Sequence, residues 1–413
     1  MFSKENKKGT IESIVGFGLI GLVLILGMTK VLSTGVFVKT LIGLGLGYAL
    51  VRGDFGFAGM ANRTCRTGST KLIRNIMMLF VVSAAIVGAF LASGQALNLW
   101  VNPISAGLLV GGIMFGIGMA FSSCCASGVL QDVPSGFSRA MVTMLFFGIG
   151  VFVGFPLAKT SFATKSAFTN GNNKGVSFTE WFKWDNANGV IGALLLTILL
   201  AVGVGLLAKW YEKKVAKNFP VPVKEEVDTK EYTTYERFFV KKWSGAVTVL
   251  VIAMLFGSLY IVSKAGWGAS TVYGQWFGRI LYLFGVSSES LATFTKVGAE
   301  TFETSLFKQA GQMQNVGIII GAFVALLLAN NFTDTFKSGL KIRPMEIILF
   351  ALGGLLMGVG TRLSAGCNVG ALYTPIANFS LSGWIYFIFL FGGGYLGNVL
   401  RKKFYIAIEP KLK

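Results

Sequence analysis

One stretch of this chain occurs twice, and the repetition constrains the fold more than any other feature. Residues 111–128 read GGIMFGIGMAFSSCCASG, and residues 353–370 read GGLLMGVGTRLSAGCNVG. At a constant offset of 242 they share G-G-x3-G-x-G-x3-S-x2-C-x2-G. The matched pairs are Gly111/Gly353, Gly112/Gly354, Gly116/Gly358, Gly118/Gly360, Ser122/Ser364, Cys125/Cys367 and Gly128/Gly370. Each copy is an apolar run that fills with small residues and ends in a polar, thiol-bearing turn. Glycines at this helical spacing let backbones approach closely inside a bilayer, so the glycines read as packing surfaces rather than ligands.

The surroundings of both copies are equally apolar. Hydrophobic residues make up 53% of the chain and charged ones only 13%, with a mean hydropathy of +0.66. Soluble domains carry about 25% charge, and a run of about 20 apolar residues spans a membrane. Ten such runs are expected, at roughly 14–29, 40–51, 75–93, 104–123, 140–158, 188–208, 244–263, 313–330, 345–361 and 383–400. The chain is therefore expected to be an all-α polytopic membrane protein. The second run is short and carries Gly43, Gly45 and Gly47, which reads as a packed internal helix. The stretch 271–285 is aromatic, too polar in context to span, and is expected in the membrane interface. The first apolar run has no small-residue cleavage site and reads as a retained span.

Lysine and arginine give the orientation. Of 37, 26 fall in segments 1–13, 52–74, 124–139, 209–243, 331–344 and 401–413, and 11 in the alternate connections. The positive-inside rule then places both termini in the cytoplasm, with the basic linker 211–242. The net charge of +19 is thus a record of orientation and lipid headgroups, not of nucleic acid. Four domains follow: a first span outside the repeat (1–35), a first repeat (36–160), a linking span with the linker (188–243), and a second repeat (244–403). Five crossings separate the two motif copies, an odd number, so the second is expected upside down. Inverted repeats with short or broken helices meeting near the midplane build the substrate sites of many transporters.

The side chains narrow the chemistry. The chain has four cysteines (Cys65, Cys124, Cys125, Cys367) and no histidine. No zinc site, imidazole relay or cofactor motif is expected. Acids reach only the edges of spans, at Glu12 and Glu346, whereas cation transporters place carboxylates at membrane depth. An anion fits better. Thiols are weak donors and polarisable partners, and the helices expected after each thiol turn, near Pro134 and Pro375, offer free N–H groups. The candidate path comprises Cys125 and Cys367 with Ser122, Ser364, Gly128 and Gly370. Cys124 is weaker, because its counterpart is Gly366. Cys65 lies between Arg63 and Arg66, whose cations favour thiolate and anion alike. Arg139 and Arg362 add charge or reach for the interface.

The tandem S-x2-C-x2-G signatures, the loop GDFGFAGMANRTCRTGS and the stretch GCNVGALYTPIANFSLSGW resemble the YeeE/YedE family of membrane transporters. The resemblance covers most of 40–160 and 244–403. It implies a bacterial inner-membrane protein with an hourglass of inverted helices that takes up thiosulfate. It also implies that Cys65, Cys125 and Cys367 pass the anion along by S–H hydrogen bonds. A selenium-metabolism branch shares this architecture, and the insertion at 265–311 resembles that branch, so a selenium compound is an alternative substrate. No soluble sulfur-carrier domain is fused after the last span, so such a cytoplasmic partner is expected to be a separate chain.

Two other classes stay open. A membrane sulfurtransferase would carry a persulfide on Cys125 or Cys367, but a thiolate nucleophile needs an activating base or cation and no histidine is present. A passive scaffold docking a sulfur-handling protein leaves the paired thiols unexplained. Transport is preferred to both, with no enzymatic activity expected.

Overall fold

A run of apolar side chains without internal charge leaves its backbone N–H and C=O groups no partner in lipid except one another, so each run closes into a helix. The structure is a computed structural model, and it describes residues 4–185, 188–215 and 232–408. Residues 216–231, most of the expected linker, lie outside the described residues. The main helices are α1 (Lys4–Met28), α2 (Thr34–Arg52), α3 (Gly59–Thr67), α4 (Lys71–Ala92), α5 (Ala106–Ser122), α6 (Ala126–Asp132) and α7 (Phe137–Gly154). Then follow α8 (Val190–Val215), α9 (Gly245–Ser263), α10 (Thr271–Leu283), α11 (Ala310–Leu328), α12 (Pro344–Leu363) and α13 (Leu381–Ile408).

Ten spans are long and apolar enough to cross a bilayer among the described residues, and they fall on the ten runs read from the sequence. The protein is an all-α polytopic membrane protein. Local chemistry sets several helix starts. Ser105 Oγ accepts from Leu108 N at 3.1 Å ahead of α5. Ser244 Oγ accepts from Val247 N at 3.3 Å ahead of α9. Pro344 opens α12, and Glu346 Oε2 there accepts from Arg343 N at 3.1 Å.

Glycines decide which helices meet. The short second span packs on α11 more extensively than any other pair of helices. A methyl on Gly43 would lie 2.2 Å from the Gln314 carbonyl oxygen, and one on Gly47 2.0 Å from that of Ile318. The same holds in reverse for Gly317 against Thr40 and Gly321 against Leu44. The glycine-rich run is thus one half of a small-residue zipper. The repeated motif makes a second such crossing. A methyl on Gly111 would come within 2.6 Å of Gly360 O, and one on Gly118 within 2.6 Å of Gly353 O. The crossing of α5 and α12 is therefore antiparallel. Gly112 and Gly116 turn to α13, whereas Gly354 and Gly358 turn to α7.

The stretch expected in the interface is a short helix with one side buried. In α10, Tyr273, Gly274 and Gly278 are buried and meet α7 through Phe147, Val151 and Phe152, while Val272 faces Gly311 of α11. The 13 residues of α10 reach about 20 Å at 1.5 Å each, too short to cross. Glycine on one side allows this close packing.

The connections sort onto two faces. On the first, Lys8 pairs with Asp334 at 2.8 Å, Ser13 meets Tyr235, Trp243 N donates to Arg52 O, and Ser138 Oγ donates to Leu340 O. On the other, Asn98 N donates to Lys264 O, Asn102 Nδ2 to Gly370 O, and Phe178 N to Phe379 O. The first set is the one that holds 26 of the 37 cations, and it is called the basic face below. A buried aromatic cluster around Tyr373 lies between them, with Phe57, Phe80, Phe256 and Trp267 within 6.4 Å of its ring.

Candidate substrate pathway

Both copies of the motif fold into the same turn. At the end of α5 the Ser122 hydroxyl donates to Gly118 O at 2.8 Å, with Cys124 O at 3.1 Å. After α12 the Ser364 hydroxyl donates to Gly360 O at 2.7 Å, with Gly366 O at 3.0 Å. Next come Ser123 at φ 61° and Ala365 at φ 58°, both left-handed, which stop each helix. Cys125 (φ −115°, ψ −177°) and Cys367 (φ −90°, ψ −167°) are extended and cap new short helices. Val129 N donates to Cys125 O at 2.8 Å and Ala371 N to Cys367 O at 2.7 Å.

The new helices begin at Ala126 and Asn368, immediately after the thiols rather than near the prolines. They are α6 and a π-helical turn, Asn368–Tyr373, continued by Thr374–Ala377. The serines expected as path donors already give their single proton to carbonyls. They fix the turn from which the thiol projects.

A cavity of about 340 Å³ reaches the first turn from the basic face. Cys124, Cys125 and Gly128 lie on its wall with Arg66, Gln131 and Asp132. Its charged lining is Asp54, Arg63, Arg66, Asp132 and Arg139, three cations against two anions, hence a formal +1. Arg63 pairs with Asp54 and Arg139 with Asp132, each at 2.7 Å. The Ser123 hydroxyl beside Cys124 accepts from two guanidiniums, Arg66 at 3.2 Å and Arg401 of α13. Ser123 thus gathers two cationic side chains beside the thiol turn.

The other thiols are placed differently. Cys367 is 0% exposed and does not line this cavity. Cys65 is half-buried in the last turn of α3 and also does not line it; its neighbours are Arg66 and Tyr211 of α8. Burial pushes the Cys65 thiol up, and Arg66 opposes that rise in part. Gly370 lies under Trp100, with a methyl there 3.4 Å from the ring. Arg362 sits on the opposite face. It donates to Thr361 Oγ1 at 3.2 Å, Thr271 Oγ1 at 3.1 Å and Ser270 Oγ at 3.1 Å, and lies 5.4 Å from the Phe155 ring centre. Among the described residues no carboxylate pairs with it.

Sulfur continues between the two turns. Asn368 Nδ2, next to Cys367, lies 3.0 Å from Met119 Sδ, and Ser122 Oγ lies 3.8 Å from Met357 Sδ. Both methionines are fully buried. The Tyr273 hydroxyl of α10 donates to Ala126 O, directly after Cys125. These residues were not singled out from the sequence, since a methionine or tyrosine in an apolar run reads as core. Asp132 was also missed. It appeared to lie in a connection, yet α6 carries it to the cavity wall, where Arg139 neutralises it.

Residues 52–396 match the protein family described as sulphur transport. The chain belongs to this family, the YeeE/YedE group. Its class of activity is transport rather than catalysis. The chain is 28% identical over 331 residues to the thiosulfate transporter TsuA of Spirochaeta thermophila, covering 77% of this chain and 82% of that one. To the thiosulfate transporter TsuA of Escherichia coli it is 22% identical over 379 residues, 87% and 93% of the two chains. To the probable transporter YedE of Escherichia coli it is 30% identical over 160 residues, 39% and 38%.

Proposed function

We propose that the chain is a bacterial inner-membrane uptake transporter for a small sulfur-containing anion, thiosulfate, with the basic face in the cytoplasm. The anion passes Cys367 and then Cys125, held by S–H donors and backbone N–H groups at the two turns. Ser122, Ser364, Gly128 and Gly370 shape those turns, while Arg362, Arg66 and Cys65 act nearer the two faces. Cys124 shares the cavity wall with Cys125. The two halves are related as inverted repeats. The reciprocal packing of α5 on α13 and α12 on α7, about the α5–α12 crossing, supports this.

The observation that carries the reading is the matched backbone of the two cysteine turns, one of them open to a cavity of net positive lining. Two relatives named as thiosulfate transporters, matched over more than four fifths of their own lengths, support thiosulfate as the substrate. Moving a dianion into a negative interior costs about 4.6 kcal/mol at 100 mV. Consumption by a separate cytoplasmic sulfur-carrier chain, or co-entering protons, offsets it.

The test is uptake by proteoliposomes, with thiosulfate, sulfate, selenite and selenosulfate compared side by side. Thiosulfate is expected to enter with both sulfur atoms intact. A hydrogen bond to a charged group is worth about 1.5–3 kcal/mol, so Cys125→Ala or Cys367→Ala should lower the rate about tenfold or more at unchanged protein level. Preference for a selenium anion would move the chain to the other substrate class. Arrival of one sulfur only, with a persulfide on Cys125 or Cys367 needed for turnover, would replace transport of the intact ion by sulfur transfer.

A further inference from the structure

The cavity on the basic face is bounded by Gly56, in the loop after α2, and by Gly128 of the first motif. The sequence holds a counterpart of each: Gly268, in the loop after α9, and Gly370 of the second motif. There the space is filled by a ring. A methyl on Gly268 would lie 2.8 Å from Trp100 Cη2, and one on Gly370 would lie 3.4 Å from its Cζ3. The indole therefore lies with its six-membered edge against both glycines. It is part-buried, on the opposite face, and Gly370 is three residues from Cys367, which is 0% exposed. Cys125, at the matching place in the first motif, is as deeply buried at 1% exposed, but it borders the cavity on the basic face.

The way the segment is anchored matters. Lys264 Nζ donates to Gln95 Oε1 at 3.1 Å, Asn98 N to Lys264 O at 2.8 Å, Trp100 N to Asn378 Oδ1 at 2.7 Å, and Asn102 Nδ2 to Gly370 O at 3.3 Å. None of these bonds involves the indole itself. The strand of chain is moored, whereas the ring rests on two residues with no side chain to interlock with it. Rotation about its own side-chain torsions would free the space without breaking the anchors. An indole is larger than a tetrahedral sulfur oxyanion, so the vacated space admits one.

We infer that Trp100 is the plug of a second vestibule, bounded by Gly268 and Gly370, through which the transported anion reaches Cys367 from the opposite face. The inference rests on the transport reading above, and its test does not need that reading to hold. Purified protein is treated with a water-soluble maleimide and labelling is followed separately on the Cys367 and Cys125 peptides by mass spectrometry. Trp100→Ala should raise the Cys367 rate at least about tenfold, since removing a packed indole shifts the local opening equilibrium by more than a decade. The Cys125 rate should stay unchanged, because Trp100 does not border its cavity. Trp100→Phe should resemble the parent, and Trp100→Leu should fall between them, which covers the case in which the alanine variant does not fold.

A Cys367 rate unmoved by Trp100→Leu and Trp100→Ala in folded protein would overturn the inference. So would a parallel rise at both cysteines, which reports general loosening. If labelling follows the expected order but thiosulfate does not move in liposomes, the plug stands and only the substrate is wrong.

Discussion

The Cys65 thiol shows burial working against a neighbouring cation. Two flanking arginines suggested a stabilised thiolate, yet burial outweighs Arg66 and the thiol is raised overall. Cys65 is then S–H at neutral pH, and its alkylation should speed up as pH rises through a midpoint above the ordinary thiol range. A cation near a thiol favours the charged form, so Arg66→Ala should move that midpoint higher still. Maleimide labelling of the Cys65 peptide across pH measures it, and a midpoint that falls on losing Arg66 would show that the cation does not act on this thiol. Ser122 and Ser364 teach a related lesson. Their identity and spacing were legible, but not that each proton is already spent on the turn that aims the cysteine. Ser123 and Ala365 were invisible for another reason: neither residue type advertises a left-handed conformation, as glycine does.

Among the elements, the repeated helices α5 and α12 carry the most information per residue. Their glycines were read as surfaces for close approach, and they meet as reciprocal pairs, Gly111 with Gly360 and Gly118 with Gly353. At Gly118 a methyl would meet a carbonyl oxygen at 2.6 Å and the Met357 backbone nitrogen at 2.9 Å, and backbone yields less readily than a side-chain tip. Overpacking costs about 1–3 kcal/mol in ordinary cores, and Gly118→Val should lie at or above the upper end. Gly21 on α1 has nothing within 4 Å, so Gly21→Ala serves as the control. A thermal melt in detergent should show a clear loss for the first and none for the second; equal melting temperatures would mean that the crossing is not tight. The partner of the Gly43–Gly47 face was not legible, since a small-residue stripe says that a helix is approached and not by which neighbour. The immediate re-entry of the chain at Ala126 and Asn368 was hidden too, because the short helices share the apolar composition of the spans before them.

At the scale of the molecule, the ten crossings and the alternation of the connections were legible because the bilayer sets both length and parity. Contacts join the segments in the same two groups that the charge count separates. Glu12, for example, accepts from Phe332 N and Thr333 N at 3.1 Å each, which ties the first span to the connection before α12. Lys264 reaches Gln95 on the other side. The proposed orientation turns the first group to the cytoplasm. That choice rests on 26 cations against 11 and on the tendency of short basic connections to stay inside. In the proposed orientation the cavity opens towards the cytoplasm and Trp100 lies on the outer side. Ser338 and Ser290 lie in exposed connections of the two groups, which makes them suitable reporters. Labelled from outside intact cells with an impermeant maleimide, Ser290→Cys should react, whereas Ser338→Cys should react only once the membrane is permeabilised. The reverse pattern would turn the molecule over, and with it the direction of the path from Cys367 to Cys125.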